Sequence, residues 1–131
     1  MLNLITDRTL ADVKAGTAKG LYNSADLNRV ESATGELAAL LTAAGYPVVI
    51  TTKTNWTDFE IRWDTDMERY LNNLKKCVTQ FCTLYPNLPD SMDYLTHVGA
   101  NNIEKTILNI NKLISMLKAD YRFSNAFHAG D

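Results

Sequence analysis

Between Asn102 and Tyr121, apolar residues recur at Ile103, Ile107, Ile110, Ile114, Leu117 and Tyr121, in alternating steps of four and three. A period near 3.6 places them on one face of a helix, and no strand holds that spacing on one side. Glu104, Lys105, Lys112 and Lys118 fall off the stripe and are expected on other faces. A stripe of this length has to be covered by other parts of the chain.

Two further segments supply matching stripes. One reads Leu27, Val30, Thr34, Leu37, Leu41 and Ala44; the other reads Met67, Leu71, Leu74, Val78, Phe81 and Tyr85. The expected fold class is therefore all-α: one domain over 1–131, built as a three-helix bundle with helices about 24–44, 65–85 and 101–120. Thr9 with Asp12 resembles a capping box, and Leu10 and Val13 give a short N-terminal helix one apolar face. Gly16 and Gly20 end it. Ser24 is a candidate N-cap for the first long helix, and Gly45 and Pro86 are stop signals for the first two. Ser91 or Asp93 is expected to cap one turn before Gly99 interrupts ahead of the last helix.

Pro47-Val48-Val49-Ile50-Thr51-Thr52 breaks the helical pattern. Proline blocks continuation and the β-branched run favours a strand. Its one comparable partner is the tail, so a minor two-stranded β element is expected, 47–52 with 121–124. The loop from Lys53 to Trp63 is rich in aromatic and polar residues. Trp56, Trp63, Tyr85 and Tyr94 lie in or beside loops. They suit either core packing at the bundle ends or a contact surface, where Trp and Tyr are enriched. Phe123 and Phe127, four apart, suit docking on a neighbouring subunit or folding back over their own bundle. Leu40, Leu108 and Leu113 flank the main stripes and either widen the core or form a seam between two copies.

The residues spell out no reaction chemistry. His97 and His128 lie apart, with no Cys or carboxylate at ligand spacing, so no zinc site is expected. Asp64, Asp66 and Glu68 lack the central Gly and distant Glu of a calcium loop; a helix start accounts for them. Ala15 to Gly20 lacks the spacing of a phosphate loop. Cys77 and Cys82, five apart, fall on different helix faces and read as two reduced thiols. A net charge of −2 gives no general pull toward nucleic acid or acidic membrane. No apolar run reaches the roughly 20 residues of a membrane span. The expectation is a protein that is not an enzyme and uses no cofactor or metal.

Each long helix opens on a similar run: Asp26-Leu27-Asn28-Arg29, Asp66-Met67-Glu68-Arg69 and Asn102-Ile103-Glu104-Lys105. Either helical repeats or shared helix-start chemistry produce such a pattern.

A set of stretches carries a family likeness. They are Lys19-Gly20-x-Tyr22-Asn23-x-x-Asp26-Leu27-Asn28-Arg29-Val30, Gly45-Tyr46, Lys53-Thr54-x-Trp56-Thr57, Met67-Glu68-Arg69-Tyr70-Leu71, Leu88-Pro89-x-Ser91-Met92-Asp93-x-Leu95 and Ala100-Asn101-x-Ile103-Glu104. Together they resemble small proteins encoded in phages and prophages of Firmicutes, similar to virion components of the tail or baseplate region. The tail, Phe123 to Asp131, departs from the aromatic-Ser-Gly-Glu repeat of such proteins, with Asn-Ala in place of Gly-Glu. The resemblance implies a structural role through protein–protein contacts, in the virion or in host cytoplasm before assembly. Its implied partners are other phage virion proteins or a second copy of the chain. A non-virion accessory protein binding a host protein, or a carbohydrate-binding module using loop tryptophans, are the alternatives.

Overall fold

A computed structural model describes residues 4–81 and 88–128, with side chains as far as Leu117. The described residues are all-helical outside their loops. Helix α1 is Leu10–Ala15, α2 is Ser24–Ala43, α3 is Asp64–Phe81 and α4 is His97–His128. The three long helices pack pairwise against one another. Each contributes much of the stripe read from its spacing, although Leu117 is exposed and Met67, Val78 and Phe81 are only partly buried. Leu27, Val30, Leu37, Leu41, Leu71, Leu74, Ile103, Ile107, Ile110 and Ile114 are buried in one cluster. Tyr70 and Cys77 of α3 join them, although neither lies on the expected stripe.

All three long helices run in the same direction. At one end, the Tyr22 hydroxyl, just before α2, meets the Tyr70 hydroxyl of α3. At the other end, Tyr46 meets Phe81 edge-on, with ring centroids 5.1 Å apart. Near the start of α4, Glu104 takes hydrogen bonds from Arg29 of α2. Antiparallel neighbours need only about 2–8 connecting residues. Parallel ones must return along the whole length of a helix, about 30 Å for α2. This is why residues 44–63 and 82–96 separate the helices.

The first return accounts for a correction. The two-stranded element 47–52 with 121–124 does not form: no strand occurs among the described residues, and 121–124 lie within α4. Residues 47–52 instead run back between α2 and α3, and side chains satisfy part of their backbone. The Thr42 hydroxyl bonds Val48, Gln80 donates to the Pro47 carbonyl at 2.7 Å, and Asn73 donates to the Thr51 carbonyl at 2.8 Å. The helix α4 continues because neither Gly nor Pro occurs between Gly99 and Gly130.

Helix ends shift for local reasons. Asn23, not Ser24, caps α2; its side chain accepts from Ala25 N–H, and the Asp26 carboxylate accepts from Asn23 N–H. The box expected for α1 is present, with Thr9 and Asp12 bonded reciprocally. Gly16 closes that helix in the left-handed region at φ 66. Gly20 packs on the Asp12 carbonyl so closely that an added Cβ would lie 2.3 Å from its oxygen. Gly99 does not interrupt α4; the helix starts two residues earlier, at His97. The single helical turn expected from Ser91 or Asp93 is a non-helical turn at Asp93–Tyr94 instead, with Asp93 N–H bonded to the Ser91 hydroxyl.

Ile107 is fully buried at the centre of the cluster. Ile107→Ala is expected to lower unfolding free energy by about 2–5 kcal/mol. Urea denaturation followed by circular dichroism measures it, and a loss under about 1 kcal/mol would contradict this packing.

Candidate contact surface

Beneath the helix-start end lies a buried ionic network. The Arg8 side chain enters from the segment before α1, and every N–H of its guanidinium finds an acceptor. Nη2 donates to Glu104 at 2.6 Å and to Asp26 at 3.1 Å. Nη1 donates to the Ile5 carbonyl and to Asn101, and Nε donates to the Lys19 carbonyl. Arg29 completes the set, bonding both oxygens of Glu104 and the Asp26 carboxylate. The Asn101 amide closes a reciprocal pair with the Arg8 backbone, 3.0 Å each way. Two cations thus face two anions. Glu104 is 0% exposed and sits inside the bundle, not on an outer helix face as its place off the stripe suggests.

A third buried carboxylate, Glu31, ties α2 to α3 and to the first return segment. It accepts from Arg69 at 2.6 Å, from Lys53 N–H at 3.0 Å and from the Trp56 indole N–H. Trp56 is thereby a core residue, 4% exposed. The similar helix openings acquire a physical meaning here. Arg29 and Arg69 occupy the same place in their runs, and each reaches a buried acid on a neighbouring helix. Lys105, at the third such place, is exposed.

Above the ionic layer the chain opens into an apolar cleft of about 810 Å³. Leu10 and Val13 of α1, Leu21, Met67, Met92 and Leu95 line it, and Arg62, Asp64, Asp93 and His97 stand at its polar positions. Helix α1 buries none of its residues, so Leu10 remains half exposed beside the cleft. Around the same end stand further exposed apolar side chains. Ile61 and Trp63 precede α3, Phe59 precedes them, and Tyr94 and Val98 flank the start of α4. Phe59 and Tyr94 are each 99% exposed. Tyr94 also has φ 54, a left-handed conformation that costs a bulky residue about 1–2 kcal/mol. A strained turn therefore holds a tyrosine ring entirely in solvent.

Of the aromatic residues singled out by sequence, Trp63 and Tyr94 are exposed, each adjoining residues that line the cleft, while Trp56 is interior. Tyr85 lies outside the described residues, as do the side chains of Phe123 and Phe127. Sequence reasoning passed over Arg8, Asp26, Glu31 and Glu104, the buried ions that carry the end. Among the described residues no three His, Cys, Asp or Glu side chains group as metal ligands, and no helix is long and apolar enough to cross a membrane. Cys77 is buried, which pushes its thiol up to about 11; Cys82 lies outside the described residues. No protein-family model, curated protein or solved structure matches the chain.

Two measurements probe this layer. Glu104→Ala leaves Arg8 and Arg29 without their shared anion and is expected to cost about 3–5 kcal/mol. Glu68→Ala, at an exposed carboxylate of α3, is expected to change stability by about 0.5 kcal/mol or less. Equal losses from the two substitutions, in urea titrations, would refute the buried network. The paired phenols give a pH test. Burial raises the pKa of both Tyr22 and Tyr70 above the ordinary 10.0. Their stabilising effect is complete below pH 10 and declines above it, because unfolded tyrosines then release protons that folded ones keep. Unfolding midpoints should fall from pH 9.5 to 11, less steeply in Tyr70→Phe; parallel pH profiles would exclude the coupling.

Proposed function

We propose that this chain is a structural contact protein of a phage or prophage particle, tail- or baseplate-associated, acting through the helix-start end of a three-helix bundle. The observation that carries the reading is the apolar cleft lined by exposed Leu10, Leu21 and Val98, with exposed Trp63 and Tyr94 next in sequence to its lining residues Arg62, Asp64, Asp93 and Leu95. A contiguous apolar surface with a few charges at its edge is what a protein partner covers, and aromatic rings anchor such contacts. The sequence resemblance to small phage proteins supplies the setting: other virion proteins or a second copy as partners, assembled from the host cytoplasm into the virion. A carbohydrate-binding role through loop tryptophans is disfavoured, because Trp56 is buried against Glu31 and Trp63 alone faces solvent.

Mass spectrometry of purified particles should find the chain, and its persistent absence would remove the virion reading. Trp63→Ala with Tyr94→Ala is expected to leave the fold intact, with the unfolding midpoint unchanged or higher. The same double variant should reduce incorporation into particles roughly tenfold or more, as loss of anchor residues does. Normal incorporation of a folded double variant would place the contact elsewhere. If the wild-type chain instead captures one host protein and never enters particles, the accessory role is correct.

A further inference from the structure

The apolar cleft does not end beside α1. Asp64, Met67, Met92 and Asp93 line it and also line a shallower groove that continues along the first turns of α3. One bank of this groove is α3, with Asp64 and Glu68 one helical turn apart. The other bank is the second return segment, with Asp90 and Asp93. Met67, Leu71 and Met92 are the apolar lining.

All four carboxylates are exposed, and among the described residues none of them enters an ion pair or a side-chain hydrogen bond. They are too dispersed to serve one metal ion. The positive groups near them are placed differently. Arg8 is taken up by the buried network. Arg62 donates to the Tyr22 carbonyl at 3.3 Å and, like His97, lines the cleft but not the groove. Lys75 stands at the far end of the groove, about two turns beyond Glu68. A chain with a net charge of only −2 therefore gathers four unpaired acids around one apolar surface.

This pairing of charge and apolar surface specifies an occupant. The lining calls for apolar side chains, and the two acidic banks call for cations on both flanks of them. A strand cannot present that arrangement, because its side chains alternate between opposite faces and its flanks are backbone. An amphipathic helix can, because residues on either side of its apolar stripe reach both banks. Unbranched methionines in the lining adapt to whatever apolar side chains arrive.

We infer that the cleft and its groove receive a basic amphipathic helix of a partner protein. Its apolar stripe lies on Met67 and Met92, and its lysine or arginine side chains meet Asp64, Glu68, Asp90 and Asp93. The inference rests on the contact role proposed above and narrows its partner. A second copy is the wrong occupant for this face. A two-fold pair sets the same patch on both sides, so the carboxylates of one copy would oppose those of the other.

The probe is a capped peptide of about 14 residues, or four turns, with leucines along one stripe and lysines on both flanks. The control carries glutamate at every lysine position. Each is titrated into the full chain by calorimetry, with methyl NMR on Met67 and Met92. The lysine peptide should bind roughly tenfold more tightly than the control or better, shift both methionine signals, and weaken as salt rises. The triple variant Asp64→Asn, Glu68→Gln, Asp93→Asn should weaken it roughly tenfold. Glu68→Lys with Asp93→Lys should reverse the preference between the two peptides. Leu10→Ser with Val98→Ser, which removes apolar lining alone, should weaken the lysine peptide several-fold. All the substituted side chains are exposed, so circular dichroism should show each variant folded.

The inference is overturned if the control binds as well as the lysine peptide or if the triple variant binds like the wild type. It is equally overturned if the methionine signals stay unmoved, or if light scattering shows a dimer that already covers them. Particle incorporation separates this inference from the reading beneath it. A lysine peptide that fails to bind, alongside lost incorporation of Trp63→Ala with Tyr94→Ala, overturns the helix and leaves the contact role. Binding at the cleft, alongside normal incorporation of that double variant, supports the helix site and removes the contact role in the particle.

Discussion

Glu104 is the group on which the arrangement of this chain most depends. A carboxylate inside a helical bundle is costly to desolvate, by several kcal/mol even after relaxation, and it persists only where cations and N–H groups surround it. Here Arg8 and Arg29 meet it from two directions, and the Ile5 backbone N–H adds a third donor at 3.0 Å. The consequence is geometric more than energetic. An apolar stripe tolerates sliding by one turn, because one leucine resembles the next. A charge with two required partners does not. The network sets the level at which α4 stands beside α2, and it fastens the segment before α1 across both.

That level, together with the common direction of the long helices, divides the molecule into two unlike ends. Both return segments deliver their chain to the end where the helices start, so loops and short α1 accumulate there. Loops at a rigid scaffold's end are where contact residues are commonly placed. The opposite end needs no such traffic. Parallel helices also align their dipoles side by side, which is mildly unfavourable. Acids at the starts of α2 and α3 (Asp26, Asp64 and Asp66) offset part of this.

Much of the scaffold was legible in the sequence, because helical period and burial are the same fact seen twice. Ile103, Ile107, Ile110 and Ile114 were spaced for a core and are in it. The buried ions were not legible from periodicity, which assigns a charge to the surface by default. The available signal was the repeated acid-x-x-Arg opening of α2 and α3, whose arginines both turn inward to a neighbour's carboxylate. The β-branched run at 47–52 reads as one strand of a two-stranded element, and no strand forms there. Pairing depends on a second segment, and the proposed one continues as helix for want of a breaker. The common helix direction had its own signal in the long links, since an up-and-down bundle has no use for some 20 residues between α2 and α3.

The exposed aromatic end is not explained as surplus from a filled core. Trp56 shows what this chain does with a tryptophan it needs inside: the indole N–H is given to Glu31 and the ring is enclosed. Tyr94 is treated in the opposite way. Its backbone sits where Gly or Asn would be relaxed, and the strain places the ring outward. A sequence shaped by folding alone gains nothing from that choice, since a glycine there would remove both the strain and the exposed ring. Conformational strain combined with complete exposure on one side chain supports the contact role proposed for this end. The carboxylates Asp64 and Asp93 at the cleft place charge beside its apolar lining, next to a single well-packed bundle.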